Sequence, residues 1–248
     1  MKTAPLVAAA ALAAPLPASA ATVSLLSLER EVEVVVTEEV RADDGSFSFP
    51  EEREREATAG LGAFDAELLL DGGGDFFASQ LSEVGATDGG NVAFLFESEA
   101  EAPGGSFPFA GSAGSGLSAF FRLDAATAYA FTADFFGTPT TPPFGLSTAA
   151  GEALVGVEDA ELERVQAGPS VVALDLDVEG VLGAGDYTLF LTTEATGGLD
   201  DAESLGLSAS FVLLDADLSD GPAVVPTPGA LAAGLSLLAA GTLRRRTR

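Results

Sequence analysis

The chain has 248 residues, and its 38 aspartates and glutamates against 11 lysines and arginines give a formal net charge of −27. A protein this acidic repels phosphate backbones, which excludes nucleic acid as a partner. The sequence has no cysteine and no histidine, which excludes disulfides, thiolate metal sites and the usual neutral-pH general base.

The first twenty residues have the order of regions that is typical of a secretory signal peptide. Lys2 supplies positive charge, residues 6–16 form an apolar run rich in alanine and leucine, and Ala18-Ser19-Ala20 is a small-x-small cleavage pattern. We predict a signal helix at residues 1–20 that is cut after Ala20, so the cleavage site consists of Ala18, Ala20 and Ala21. The alternative is a buried alanine-rich helix.

Residues 21–223 are predicted to form an acidic, all-β, antiparallel ectodomain. Residues 22–40 alternate, and the apolar face is interrupted by Arg30 and consists of Leu26, Leu28, Val32, Val34 and Val36. Similar alternation predicts strands at 92–99, 117–124, 128–135, 172–179, 187–193 and 205–214. The stretches 117–124 and 128–135 are expected to pair with each other, and a short helix is predicted over 75–84.

Glycine-rich turns between these stretches, together with 17 phenylalanines, favour a β-sandwich or jelly roll. The proline-rich segment 138–143 is either a long loop in one sandwich or a divider between two subdomains. The charge run 51–56 is interpreted as a solvated edge strand or loop, with a protein or ion contact as the alternative. The glycine-rich segment 111–116 is interpreted as a flexible loop.

No cofactor is expected, and calcium is the one ion that the acidic turns could bind. The candidate ligands are pairs within single turns, none with the spacing of an EF-hand: Asp71 with Asp75, Asp88 with Asn91, and Asp200 with Asp201. The sequence contains no nucleophile elbow and no phosphate-binding loop. We therefore expect no catalytic activity.

The last 25 residues, 224–248, combine three features in order. The motif Val225-Pro226-Thr227-Pro228-Gly229-Ala230 precedes an apolar helix predicted over 228–243, and the chain ends in a basic cluster of Arg244, Arg245, Arg246 and Arg248. The helix is short for a transmembrane span of about 20 residues, but tilt and snorkelling arginines compensate. The arginines are expected to stay on the cytoplasmic side.

This tail resembles the PEP-CTERM sorting signal, with Thr227 in place of the usual glutamate. The resemblance implies export by the Sec machinery, cleavage by signal peptidase, membrane insertion of the tail helix and processing by an exosortase. Tails of this kind are sometimes labelled as the C-terminal domain of an ice-binding protein, a label that says nothing about ice. Residues 181–192 also resemble a Leu-x-Ala-Gly-x-Tyr-x-Leu segment that is common in the bodies of such proteins.

These features together predict a secreted, exosortase-processed cell-surface or extracellular-matrix protein that begins as a membrane-anchored precursor. One alternative is a carbohydrate-binding module for extracellular polysaccharide. The other is a secreted hydrolase.

Overall fold

The computed structural model describes residues 20–104, 109–137, 142–163, 172–197 and 202–219. Within these ranges the chain forms sixteen β-strands, numbered in chain order, and a one-turn 3₁₀ helix at Val157–Asp159. The prediction of an all-β body with antiparallel sheets is confirmed. The predicted signal helix and sorting helix lie outside the described residues.

Seven strands form sheet I. They are β1 (Ala21–Glu38), β4 (Glu51–Thr58), β8 (Phe109–Leu123), β10 (Phe144–Thr148), β11 (Ala153–Val155), β14 (Gly185–Gly197) and β16 (Ala216–Leu218). Their order is β11-β10-β14-β8-β1, and the far edge of β1 is shared by β16 and β4. The β1–β16 pair is parallel, whereas the other pairs of this sheet are antiparallel.

The other large sheet, sheet II, contains seven antiparallel strands. They are β5 (Gly62–Asp71), β6 (Asp75–Thr87), β7 (Asn91–Ala102), β9 (Thr127–Gly137), β12 (Glu161–Glu163), β13 (Val172–Leu182) and β15 (Glu203–Leu213). The order is β12-β13-β9-β15-β7-β6-β5. A small hairpin, β2 (Val40–Arg41) with β3 (Phe47–Ser48), stands outside both sheets.

The core lies between the two sheets as one cluster of buried side chains. Phe211 of sheet II is central, with ring centroids 5.6 to 6.0 Å from those of Phe94, Phe121, Tyr129 and Phe131. Such tilted and edge-on contacts are the arrangements that aromatic rings prefer. Tyr187 stacks on Phe121, and its hydroxyl donates to the main-chain oxygen of Gly183 at 2.9 Å.

Several sequence expectations are corrected by strand pairing. Residues 75–84 are not a helix but most of β6, because β5 and β7 bond to both of its edges. Residues 111–116 are not a flexible loop but the middle of β8, which lies between β1 and β14. Residues 117–124 and 128–135 do not pair, because the turn between β8 and β9 carries the chain from sheet I to sheet II.

The long first strand is present as predicted, but its alternation changes phase. The register of β1 against β8 shifts between Leu25 and Ser27, as a β-bulge does. Leu26, expected in the core, is therefore 40% exposed, whereas Leu25 and Leu28 are buried. Arg30 lies on the inward face, where the alternation places it, and its charged side chain is buried there.

Candidate functional sites

The predicted processing residues flank the described body. Ala21 is the first residue of β1, where it pairs with Ala216 and donates its main-chain N–H to the oxygen of Asp215 at 3.2 Å. Ala20 is described and exposed. The other predicted processing residues lie outside the described ranges: Ala18, Val225, Pro226, Thr227, Pro228, Gly229, Arg244, Arg245, Arg246 and Arg248.

No helix in the described ranges has the length and apolar character needed to cross a membrane. Nor do these ranges contain a group of three or more acidic side chains placed to hold a metal ion. The Asp71 carboxylate accepts from Gly73 N at 3.2 Å within its own turn, and Asn91 Oδ1 accepts from Asp215 N at 3.0 Å. The third pair, Asp200 and Asp201, lies outside the described residues.

An acidic trough crosses the outer face of sheet I. Its floor is the glycine-rich middle of β8, where Gly114 pairs with Glu33 on one side and with Glu194 on the other. Glu31 forms part of the same wall as Glu33, and the trough encloses about 50 Å³. Small-molecule sites are typically about 300–1,000 Å³, so this trough is too small for a sugar ring.

The two walls of the trough differ in how their carboxylates are compensated. Arg55 of β4 binds Glu31 through both Nε and Nη2, the latter at 2.7 Å, and Arg53 Nη1 lies 3.4 Å from Glu33 Oε1. On the opposite wall the Glu194 carboxylate has no hydrogen bond or ion pair within the described residues. The pKa of Glu194 is raised, mainly by burial and in addition by the negative charges of Glu203 and Glu33. Burial also raises the pKa of Glu33, against the lowering effect of Arg53.

A guanidinium group lies inside the sandwich. Arg30 donates through Nη1 to the main-chain oxygens of Gly62 at 2.7 Å and Ser82 at 3.3 Å, and through Nη2 to that of Gly60. The ring of Phe64 lies 5.4 Å from its Cζ, so a cation–π contact adds to these bonds. Burial lowers the pKa of Arg30. Its hydrogen bonds therefore connect β1 of sheet I with the β4–β5 connection and with β6 of sheet II.

Buried polar side chains continue from Arg30 across the core. The Gln80 amide nitrogen faces the main-chain oxygens of Glu31 at 2.9 Å and Gly116 at 3.2 Å, in the orientation that satisfies its polar atoms. The Thr193 hydroxyl lies 3.1 Å from those of both Ser98 and Ser115. Because both sheets contribute, these bonds fix how one sheet lies on the other.

A larger groove crosses the outer face of sheet II and encloses about 410 Å³. It follows two rows of cross-strand neighbours over four strands. One row is Glu99, Gly206, Phe136 and Ala173, and the other is Glu97, Ser208, Asp134 and Asp175. Phe136 is 44% exposed, so its phenyl ring supplies apolar surface in the groove. This volume falls within the range typical of small-molecule sites.

The two outer faces differ in charge. The ion pairs within the described residues all lie on sheet I, where Arg53, Arg55 and Arg122 are the cations. The seven strands of sheet II contain fifteen aspartates and glutamates but no lysine or arginine. Arg164, which follows β12, lies outside the described residues. Within the described part, the groove carboxylates therefore lack a cationic partner.

The sequence analysis predicts neither the groove nor the burial of the Arg30 side chain. The outward direction of Asp175 is visible in the alternation of β13, but its neighbours across the sheet depend on strand order. Phe136 has the same parity as the outward Asp134 in β9, but it lies one residue beyond the predicted strand 128–135. Comparisons of the chain with protein-family models, curated proteins and solved structures gave no match in any of the three.

Proposed function

We propose that this chain is an exported surface or extracellular-matrix protein whose acidic body is displayed outside the cell. In this proposal residues 1–20 direct export through the Sec machinery and are removed by signal peptidase. Residues 224–248 hold the precursor in the membrane and are processed by an exosortase. The body itself has no catalytic activity.

The observation that carries the proposal is the position of the two ends of the body. Strand β1 begins at Ala21, directly after the proposed cut, and β16 ends at Leu218, shortly before the proposed sorting motif. The two strands are parallel neighbours, with Ala21 opposite Ala216 and Val23 opposite Leu218. Removal of residues 1–20 therefore leaves every described strand intact, and the first and last described strands lie side by side in sheet I.

Fractionation of a Gram-negative host that contains an exosortase tests this proposal. We expect the wild-type protein in the membrane and at the cell surface, without residues 1–20. Replacement of Arg244, Arg245 and Arg246 by serine is expected to lower surface yield or prevent C-terminal processing, because the basic anchor is lost. Arg41→Ser, at an exposed hairpin position, is the control for loss of an arginine in the body.

Two results would contradict the proposal. Cytoplasmic protein that still carries residues 1–20 would refute export. Unchanged surface yield and unchanged mature mass in the triple-serine variant would refute the role of the basic cluster.

The second candidate function is carbohydrate binding, and the groove on sheet II favours it. An exposed phenyl ring offers an apolar surface for the C–H face of a sugar. The carboxylates around it can accept hydrogen bonds from sugar hydroxyl groups, and the Ser208 hydroxyl can accept or donate them. A glycan array probed with the full-length protein tests this candidate. Binding to no member of a broad panel would remove it.

A further inference from the structure

We propose that the groove on the outer face of sheet II binds a glycan segment that carries free amino groups. The proposal rests on the carbohydrate-binding candidate function and adds the charge of the ligand.

The groove has the dimensions of an oligosaccharide site rather than of a site for one ion. It runs across β7, β15, β9 and β13, a width of about 14 Å at the usual strand spacing. Each of these strands already has a neighbour on both sides. An extended peptide could therefore not join the sheet here as an added strand, because none of these strands has a free edge. The hydroxyls and amines of a glycan can instead bond to the side chains that line the groove.

Gly206 keeps the middle of the groove open although the backbone does not require glycine there. Its φ lies outside the left-handed region, and a Cβ built on it would meet nothing closer than the Ser98 main-chain oxygen at 3.8 Å. A side chain at this position would thus be sterically tolerated but would stand beside Phe136 and fill the groove. Glycine thus leaves the space beside Phe136 open, and Phe136 is 44% exposed.

Phe136 has small neighbours on both sides in its row. Gly206 and Ala173 are its cross-strand partners, so neither neighbour covers the ring. Exposure of a phenyl ring to water is unfavourable, and contact with the C–H face of a pyranose would remove part of that apolar area from water. The ring also attracts a nearby ammonium group through its π face.

Like charges face each other directly in the second row of the groove. Asp134 pairs with Asp175, and Asp175 also pairs with Glu161 on its other side. Side chains in such positions have Cβ atoms about 4.5–5.5 Å apart, and equal charges there destabilise the sheet. Glu97 and Glu99 add negative charge at the opposite end of the groove. An ammonium group bound between these carboxylates would offset the repulsion, whereas an anionic polysaccharide would increase it.

Calorimetric titration of the full-length protein in detergent at low ionic strength tests the proposal. The probes are a β-1,4-linked glucosamine hexamer, its fully N-acetylated form, cellohexaose and hexalysine. We expect the glucosamine hexamer to bind at least about tenfold more tightly than the other three, because only it combines amines with sugar rings. Its affinity should also fall as salt is added.

Variants distinguish specific binding in the groove from non-specific attraction to a negatively charged surface. Phe136→Ala and Gly206→Val are each expected to weaken binding of the glucosamine hexamer about tenfold, the first by removing the platform and the second by filling the groove. Gly85→Val is the matched control, because Gly85 lies on the same outer face with no atom within 4 Å of a built Cβ. Thermal melts establish that each variant is folded, and Phe136→Leu replaces Phe136→Ala if the alanine variant is not.

Each contrary result has a distinct meaning. Hexalysine binding as tightly as the glucosamine hexamer, with no effect of Phe136→Ala or Gly206→Val, would overturn the proposal in favour of a non-specific polycation surface. Equal binding of cellohexaose would overturn the requirement for amines and leave the carbohydrate-binding candidate in place. Absence of binding to all three glycans would overturn both.

Discussion

Arg30 shows how one side chain can stabilise the junction of two sheets from inside the core. Transfer of a guanidinium out of water is costly unless its donors are satisfied. Here Nη1 and Nη2 bond to carbonyls from the β4–β5 crossover and from β6, although Nε has no partner within the described residues. In the sequence Arg30 only interrupts an apolar face. Its partners cannot be recognised there, because the carbonyls that accept its hydrogen bonds belong to residues 30 to 52 positions away.

Replacement of Arg30 is expected to destabilise the body. Arg30→Met keeps the apolar stem but leaves the oxygens of Gly60, Gly62 and Ser82 without their donor, which should lower the free energy of unfolding by about 2–4 kcal/mol. Urea denaturation measures this change, with Arg41→Met in the exposed hairpin as the control. Equal midpoints for the two variants would show that the buried bonds contribute nothing net.

Glu194 gives a prediction about pH. Because its pKa is raised in the folded state, the folded protein holds this proton more tightly than the unfolded chain does. Ionisation therefore costs no stability below the ordinary value of 4.5, and the cost grows as the pH rises through the raised pKa.

Glu194→Gln removes that cost. We expect a gain of about 1 kcal/mol near neutral pH, which is a rise in Tm of about 2–4 °C, and a smaller gain as the pH approaches the ordinary value of a glutamate. Thermal melts over this pH range measure it, with Glu97→Gln on the exposed face of β7 removing the same charge elsewhere. A gain that is independent of pH, or one equalled by the control, would contradict the role of burial.

At the scale of elements, the sequence predicts some strands well and others poorly. The alternation in β7, β13 and β15 predicts these strands correctly, because each has one face in the core and one in water. The prediction of a helix at residues 75–84 is wrong, since the outward Phe77 and Leu81 break the alternation of β6 and its extended state depends on bonds from both neighbours. The glycines of β8 indicate a loop only until β1 and β14 are known to enclose them.

The bulge in β1 can be tested with two leucines that the sequence places on the same face. Leu26→Asp is expected to cost about 1–2 kcal/mol, because Leu26 is 40% exposed and only part of its apolar area is buried. Leu28→Asp would bury an unpaired carboxylate and is expected to cost more than about 4 kcal/mol, which is enough to prevent folding. Circular dichroism melts compare the two variants. Equal destabilisation by both would mean that the phase of the strand does not change.

At the scale of the whole molecule, both candidate sites depend on strand order, which the sequence did not provide. The groove on sheet II combines residues from β7, β9, β13 and β15, and the trough on sheet I combines β1, β8 and β14. These strands are distant in sequence. The predicted pairing of residues 117–124 with 128–135 would place β8 and β9 in one sheet, whereas they belong to different sheets. Composition did predict the acidity of the body, but not that the arginines of the described ion pairs all lie on sheet I.

The relative position of the two ends of the body also depends on the complete fold. Strands β1 and β16 are almost 180 residues apart in the chain, yet they are parallel neighbours at one edge of sheet I. None of the described strands contains a residue of either proposed processing segment, and the first and last described strands are adjacent. This arrangement suits a protein that is exported and then processed at both ends.

The mass and N-terminal sequence of the protein recovered from a host with an exosortase test export and processing together. We expect a product that begins at Ala21 and has lost the arginine-rich end of the chain. A cytosolic polypeptide that begins at Met1 and ends at Arg248 would contradict it.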